Sequence, residues 1–151
     1  MNIELHRCAR SGNLERFKQL VAGGANIDGP DDDGWTTLLV AIDFGHFDIV
    51  VYLVERGADV AHTDREGTTA LHCASVEVTL STVIYLLNHG ARITERDDNG
   101  TTALLYAAEQ GSLEVVKYLL SSEGGASITE TDNDGNTALL RAAHNAFRDT
   151  Q

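Results

Sequence analysis

The chain has 151 residues, with 23 Asp and Glu against 11 Lys and Arg, and a formal net charge of −12. That balance disfavours a nucleic-acid or anionic-membrane surface, since both need a basic face. No apolar run reaches the ~20 residues of a membrane span, and residues 1–7 carry no signal-peptide apolar segment.

The chain repeats itself. Gly24, Gly57 and Gly90 stand 33 residues apart, each followed by Ala, and Gly34, Gly67 and Gly100 keep the same interval, each two residues before a Thr. Such a period marks a stacked solenoid, which offers an extended surface rather than an enclosed pocket. In chain order, residues 1–30 make an opening partial or capping unit without a leading turn. Residues 31–63 and 64–96 make the first and second full units. Residues 97–131 make a third, lengthened by two residues near Ser121–Gly124. Residues 132–151 make a fourth that stops after its first helix, which reads as a truncation or an unusual cap. All of it, 1–151, is one domain.

One unit has a simple grammar. Asp-x-x-Gly opens it at Asp31, Asp64, Asp97 and Asp132; Asp bonds its own backbone two residues on, and Gly takes positive φ cheaply. Thr36, Thr69, Thr102 and Thr137 follow where a helix N-cap belongs. Leu and Ala three residues apart (Leu38 and Ala41, Leu71 and Ala74, Leu104 and Ala107, Leu139 and Ala142) predict a short first helix. Gly45 and Gly111 break it from a second helix with a broad apolar face, which ends at Gly57, Gly90 or Gly125. The second unit has Val78 where its neighbours have Gly, so its break is expected to run on or bulge.

Signatures of chemistry are missing. There is no phosphate-binding glycine loop, no C-x-x-C and no H-E-x-x-H, and the six His are scattered. Asp31–Asp33 lack the alternating ligands and closing Glu of a calcium loop and read as a solvated turn tip. Cys8 and Cys73 fall in first helices and read as small, buried and reduced. No catalytic, cofactor-binding or metal-binding residue is expected.

The blocks T-T-L-L-V-A (residues 36–41), T-A-L-H-C-A (69–74), T-A-L-L-Y-A (102–107) and T-A-L-L-R-A (137–142) resemble the ankyrin repeat. Its Pro is replaced by Thr37, Ala70, Ala103 and Ala138. Its His survives only as His72, with Leu39, Leu105 and Leu140 elsewhere, so softer turns are expected there. The resemblance implies an all-α ankyrin-repeat solenoid with projecting β-turns that binds a protein through its concave face. Carried residue by residue, that face takes Asp32, Asp33, Trp35, Arg65, Glu66, Thr68, Asp98, Asn99 and Thr101 from the turns. From the first helices it takes Asp43, Phe44, Val76, Glu77, Glu109 and Gln110. Trp35 and Phe44 break a mostly polar pattern. They read as an exposed aromatic hot spot in an acidic rim, whose truncation would spare folding. The other reading has Trp35 covering the N-terminal unit with Phe44 beneath it. The partner expected is a basic or basic-amphipathic protein segment, met by a monomer without a cofactor in the cytoplasm or nucleus. The rival reading is the ankyrin segment of a larger enzyme, channel or effector, used for recruitment.

Overall fold

The computed structural model describes residues 2–77 and 79–148. Val78 lies outside them. Nine helices occur among the described residues: α1 (Asn2–Ser11), α2 (Leu14–Ala22), α3 (Thr37–Asp43), α4 (Phe47–Glu55), α5 (Ala70–Val76), α6 (Leu80–Asn88), α7 (Ala103–Glu109), α8 (Leu113–Leu119) and α9 (Ala138–Arg148). The chain is an all-α solenoid. The odd-numbered helices α1, α3, α5, α7 and α9 stack in sequence, while α2 packs on α4 and α6 on α8.

Each first helix starts because a threonine caps it. The hydroxyls of Thr36, Thr69 and Thr102 accept from the amides of Leu39, His72 and Leu105, and Thr137 accepts from Leu140 in the same way. The Leu–Ala stripe then faces inward. Leu38, Ala41, Leu71, Ala74, Leu104 and Ala107 are all buried, and a fully buried leucine side chain contributes about 1.5–3 kcal/mol. The small alanines let adjacent first helices approach closely. One apolar core runs from Leu5 to Ala138.

The turns do more than reverse the chain. Asp31 Oδ1 accepts from the amides of Asp33 and Trp35, Asp64 Oδ1 from Glu66 and Thr68, Asp97 Oδ1 from Asn99 and Thr101, and Asp132 Oδ1 from Asp134 and Asn136. Successive tips are then tied to one another. The amides of Arg65, Asp98 and Asn133 donate to the carbonyls of Asp33 (3.3 Å), Glu66 (2.9 Å) and Asn99 (3.0 Å) of the preceding unit. Gly34 has φ +86°, and a Cβ there would meet the Arg65 amide at 3.0 Å, so the ladder itself requires glycine.

Of the two irregularities, one resolves differently from expectation and the other falls where expected. The break in the second unit survives without glycine: α5 ends at Val76 and α6 begins at Leu80. In the third unit the extra residues form a turn after a shortened α8. Gly124 is buried there, and a Cβ would lie 2.5 Å from the Leu119 Cα, so the close approach requires glycine. The units lacking the motif histidine find other ties. His72 Nε2 donates to the Glu95 carbonyl (3.2 Å). In the third unit, Thr102 Oγ1 donates instead to Glu130 Oε2 (2.7 Å).

Candidate functional site: the concave face

The expected positions fall on the turn ladder and at the C-terminal ends of the first helices, and they are not equally exposed. In the first two units Asp32 and Asp33 stand exposed at the first tip. Trp35 is half-buried and packs against the core, and its carbonyl accepts from His6 Nε2 (2.9 Å). Its other side lines a shallow groove of about 400 Å³ with Asp33, Asp64, Arg65, Glu66 and Thr68. Trp35 is therefore both a core contact and a groove wall. Phe44 is 46% exposed and stands outside that groove, with the Arg10 guanidinium 5.3 Å from its ring centre. Asp43 and Glu77 are exposed and Val76 is half-buried. Desolvation, and then the nearby Asp43 charge, push the Glu77 carboxyl above its ordinary value.

The last two units present a different surface. Asp98, Asn99 and Gln110 are exposed as expected. Thr101 is not; it is 2% exposed and accepts from Arg141 Nη2 (3.3 Å). Glu109 is half-buried and ion-paired to Arg141. Arg141 also donates to Asp132 Oδ2 through Nη2 (2.6 Å) and Nε (3.1 Å). Burial pushes the Asp132 carboxyl up, but hydrogen bonds from Asn136 and Arg141 outweigh it and hold the carboxyl well below the usual range. Tyr106 OH donates to Asp97 Oδ2 (2.7 Å). Desolvation and that bond raise the phenol.

Sequence reasoning missed this knot. A signal existed: Val40, Cys73, Tyr106 and Arg141 each stand nine residues after a turn Asp. Where that position carries a donor, the donor reaches the free oxygen of the turn carboxylate. Cys73 carries no such donor. Its buried thiol is pushed up to about 12 by desolvation and by the charges of Asp43, Asp64 and Glu77. It is a free thiol, as is Cys8. Among the described residues no group of three His, Cys, Asp or Glu could hold a metal ion, and no helix is long and apolar enough to cross a membrane.

The family model "Ankyrin repeats (3 copies)" matches residues 5–97 and 81–150. The chain is an ankyrin-repeat protein. Ankyrin arrays carry protein–protein interaction, which fits the shallow open groove beside Trp35. Two relatives are each 49% identical over 49 residues, or 32% of this chain. One is the "Notch-regulated ankyrin repeat-containing protein" of Homo sapiens, with 43% of its length covered. The other is "Protein phosphatase 1 regulatory subunit 27" of Mus musculus, with 32% covered. A third, "Notch-regulated ankyrin repeat-containing protein A" of Danio rerio, is 47% identical over 49 residues, with 32% of this chain and 44% of its own length covered. The match spans less than half the length of each.

Proposed function

We propose that this ankyrin array is a non-enzymatic protein-binding module whose partner presents a basic or basic-amphipathic segment to the first two units. One observation carries this reading. Asp32, Asp33, Asp43, Glu66 and Glu77 form no ion pair among the described residues, whereas Glu109 and Asp132 at the other end are both paired. Unpaired carboxylates on one face raise the association rate of a basic partner and discourage like-charged ones. Trp35 beside them supplies the aromatic anchor of such a surface. Fifteen positions make up the face: Asp32, Asp33, Trp35, Asp43, Phe44, Arg65, Glu66, Thr68, Val76, Glu77, Asp98, Asn99, Thr101, Glu109 and Gln110. Thr101 and Glu109 act in it by shaping Arg141, not by direct contact. A phosphatase regulatory subunit among the relatives fits a module that recruits or restrains another protein. The module works as a monomer inside the cell, where buried Cys8 and Cys73 stay reduced.

A second reading, the ankyrin segment of a larger protein, is supported by apolar surface where the third and fourth units meet. Leu113, Ile128 and Leu139 are more than half exposed and line one groove with Val116 and Ala142. A further unit would cover it.

The test of the first reading is site-specific photocrosslinking. A photoreactive phenylalanine analogue at Thr68 should yield a partner adduct, and the same group at Glu55 on α4 should not. Equal adducts from both positions, or adducts from Glu55 alone, would refute it.

A further inference from the structure

The units carry equivalent positions with different chemistry, so one unit serves as a template for another. In the fourth unit, Arg141 bonds three groups: Asp132, nine residues before it, then Glu109 and Thr101 of the preceding unit. Glu109 stands twelve residues after its own turn Asp97, and Thr101 stands four after it. Moved back two units, the Arg141 position becomes Cys73, Asp132 becomes Asp64, Glu109 becomes Asp43 and Thr101 becomes Trp35. Both carboxylates are kept and the cation is lost.

No other unit does this. In the third unit the positions are Tyr106, Asp97 and Val76; one carboxylate is absent, and Tyr106 OH satisfies the other. In the first unit they are Val40, Asp31 and Arg10, and the second carboxylate is replaced by a cation. In the second unit, Asp64 spends Oδ1 on the amides of Glu66 and Thr68 (both 2.9 Å), as Asp132 does on its own turn. Its Oδ2 and the Asp43 carboxylate meet no cation among the described residues. Asp64 lies in the groove that Asp33, Trp35, Arg65, Glu66 and Thr68 also line, and Asp43 stands exposed outside that lining. Cys73 feels Asp43, Asp64 and Glu77 together.

We propose that the second unit is an open guanidinium socket, with Asp43 and Asp64 as acceptors and Trp35 as aromatic wall, which takes an arginine of the partner protein. This rests on the concave-face reading above and adds the residue type that the partner inserts. Arginine fits better than lysine. Its planar fork can bridge two carboxylates at once while its face lies on an indole, as a compact ammonium cannot. The partner's arginine would do between the first and second units what Arg141 does between the third and fourth.

The test is an amide and indole NMR titration of the full chain with N-acetyl-arginine methylamide. Its neutral isostere N-acetyl-citrulline methylamide and the lysine analogue serve as comparisons. The arginine compound should give saturable shifts at the Trp35 indole N–H and at the Asp64 and Cys73 amides. The lysine compound should bind several-fold more weakly, and the citrulline compound should shift nothing there. Cys73→Arg supplies the cation from within and should abolish the shifts. Asp43→Asn, at an exposed position, should weaken binding about tenfold, and it carries the test if Cys73→Arg does not fold. Asp64→Asn keeps an acceptor for the turn and should behave like Asp43→Asn. Unsaturable shifts spread over Asp98 and Asp134 as well, or binding unchanged in Asp43→Asn, would overturn the socket. If no arginine seats there while Thr68 still crosslinks a partner, the socket is wrong and the concave-face reading stands. If arginine seats but adducts come only from Glu55, the concave-face reading fails, and the socket's role in partner binding fails with it.

Discussion

The third and fourth units differ from the first and second at one repeat position, nine residues after the turn aspartate. Tyr106 and Arg141 reach back and satisfy Asp97 and Asp132; Val40 and Cys73 leave Asp31 and Asp64 with an unused oxygen. The backbone ladder and the threonine caps are the same on both sides. A donor at that position turns the face inward, so that its carboxylates serve folding. Without one, the carboxylates stay in water, available to another chain. Burial decides which arrangement is tolerable. Asp132 is 6% exposed, so its charge needs a partner inside the fold, whereas Asp43 is exposed to water.

The sharpest way to break this comparison is Arg141→Ala. It leaves Asp132 buried without its cation and should cost about 3 kcal/mol, read by urea denaturation and by faster amide exchange in α9. A loss no greater than that of an ordinary surface substitution would show that the knot does not hold the last unit. The same carboxylate sets an acid limit. Because the folded Asp132 titrates below the unfolded value of about 3.9, its contribution is complete above that pH. It is lost as the pH falls through the folded value, and this acid step should shrink in Arg141→Ala.

On the open side, Trp35→Thr installs the residue of the equivalent positions Thr68 and Thr101. The indole is half-buried against the core, so the change should cost about 1–2 kcal/mol, less than truncation of a fully buried aromatic. Phe44→Ala should cost less still. Equal costs would show that Trp35 does not pack as described, and a cost near zero would restore it to a purely external anchor.

His72→Leu, which copies the first and third units, should cost about 1 kcal/mol at neutral pH through the lost reciprocal cap. Desolvation lowers the His72 pKa, against the opposing Glu95 carbonyl and the Asp97, Glu95 and Asp64 charges. The wild type should therefore be fully stable above the unfolded histidine value of about 6.5 and weaken as pH falls through the folded value. In His72→Leu that step should flatten. A step that persists unchanged would assign it to another histidine.

The smallest effect is Glu77→Gln. Its carboxyl is raised by desolvation and by Asp43, so the ionised form is disfavoured in the fold above its folded pKa. The side chain is exposed, so removing the charge should gain only a few tenths of a kcal/mol at pH 7, and less at high salt. A loss of stability would mean that Glu77 meets a cation in solution.

Much of this was legible in the residues because it is local or periodic. Asp and Gly at fixed spacing specify the turns, Thr specifies the caps, and Leu with Ala three residues on specifies the buried stripe. Each of these needs only neighbours within a few residues, and a 33-residue period then implies stacking. Trp35 was harder. The sequence marks it as unlike Thr68 and Thr101, but whether an odd aromatic faces solvent or core depends on what lies opposite. Here that is the core on one side and the Arg65 turn on the other. Thr101 looked like its half-buried equivalents and is covered by Arg141, which comes forty residues later.

What the sequence determined by itself is the repeat: its period, helix starts, turn chemistry and the alanines that set close packing. What only the tertiary structure decided is the use of each carboxylate. Arg141 joins Asp132, Glu109 and Thr101 across two units, and Cys73 leaves the corresponding acceptors open. Pairing of that kind is a contact between side chains distant in sequence. Its energy depends on burial and direction, which residue spacing along one unit does not encode.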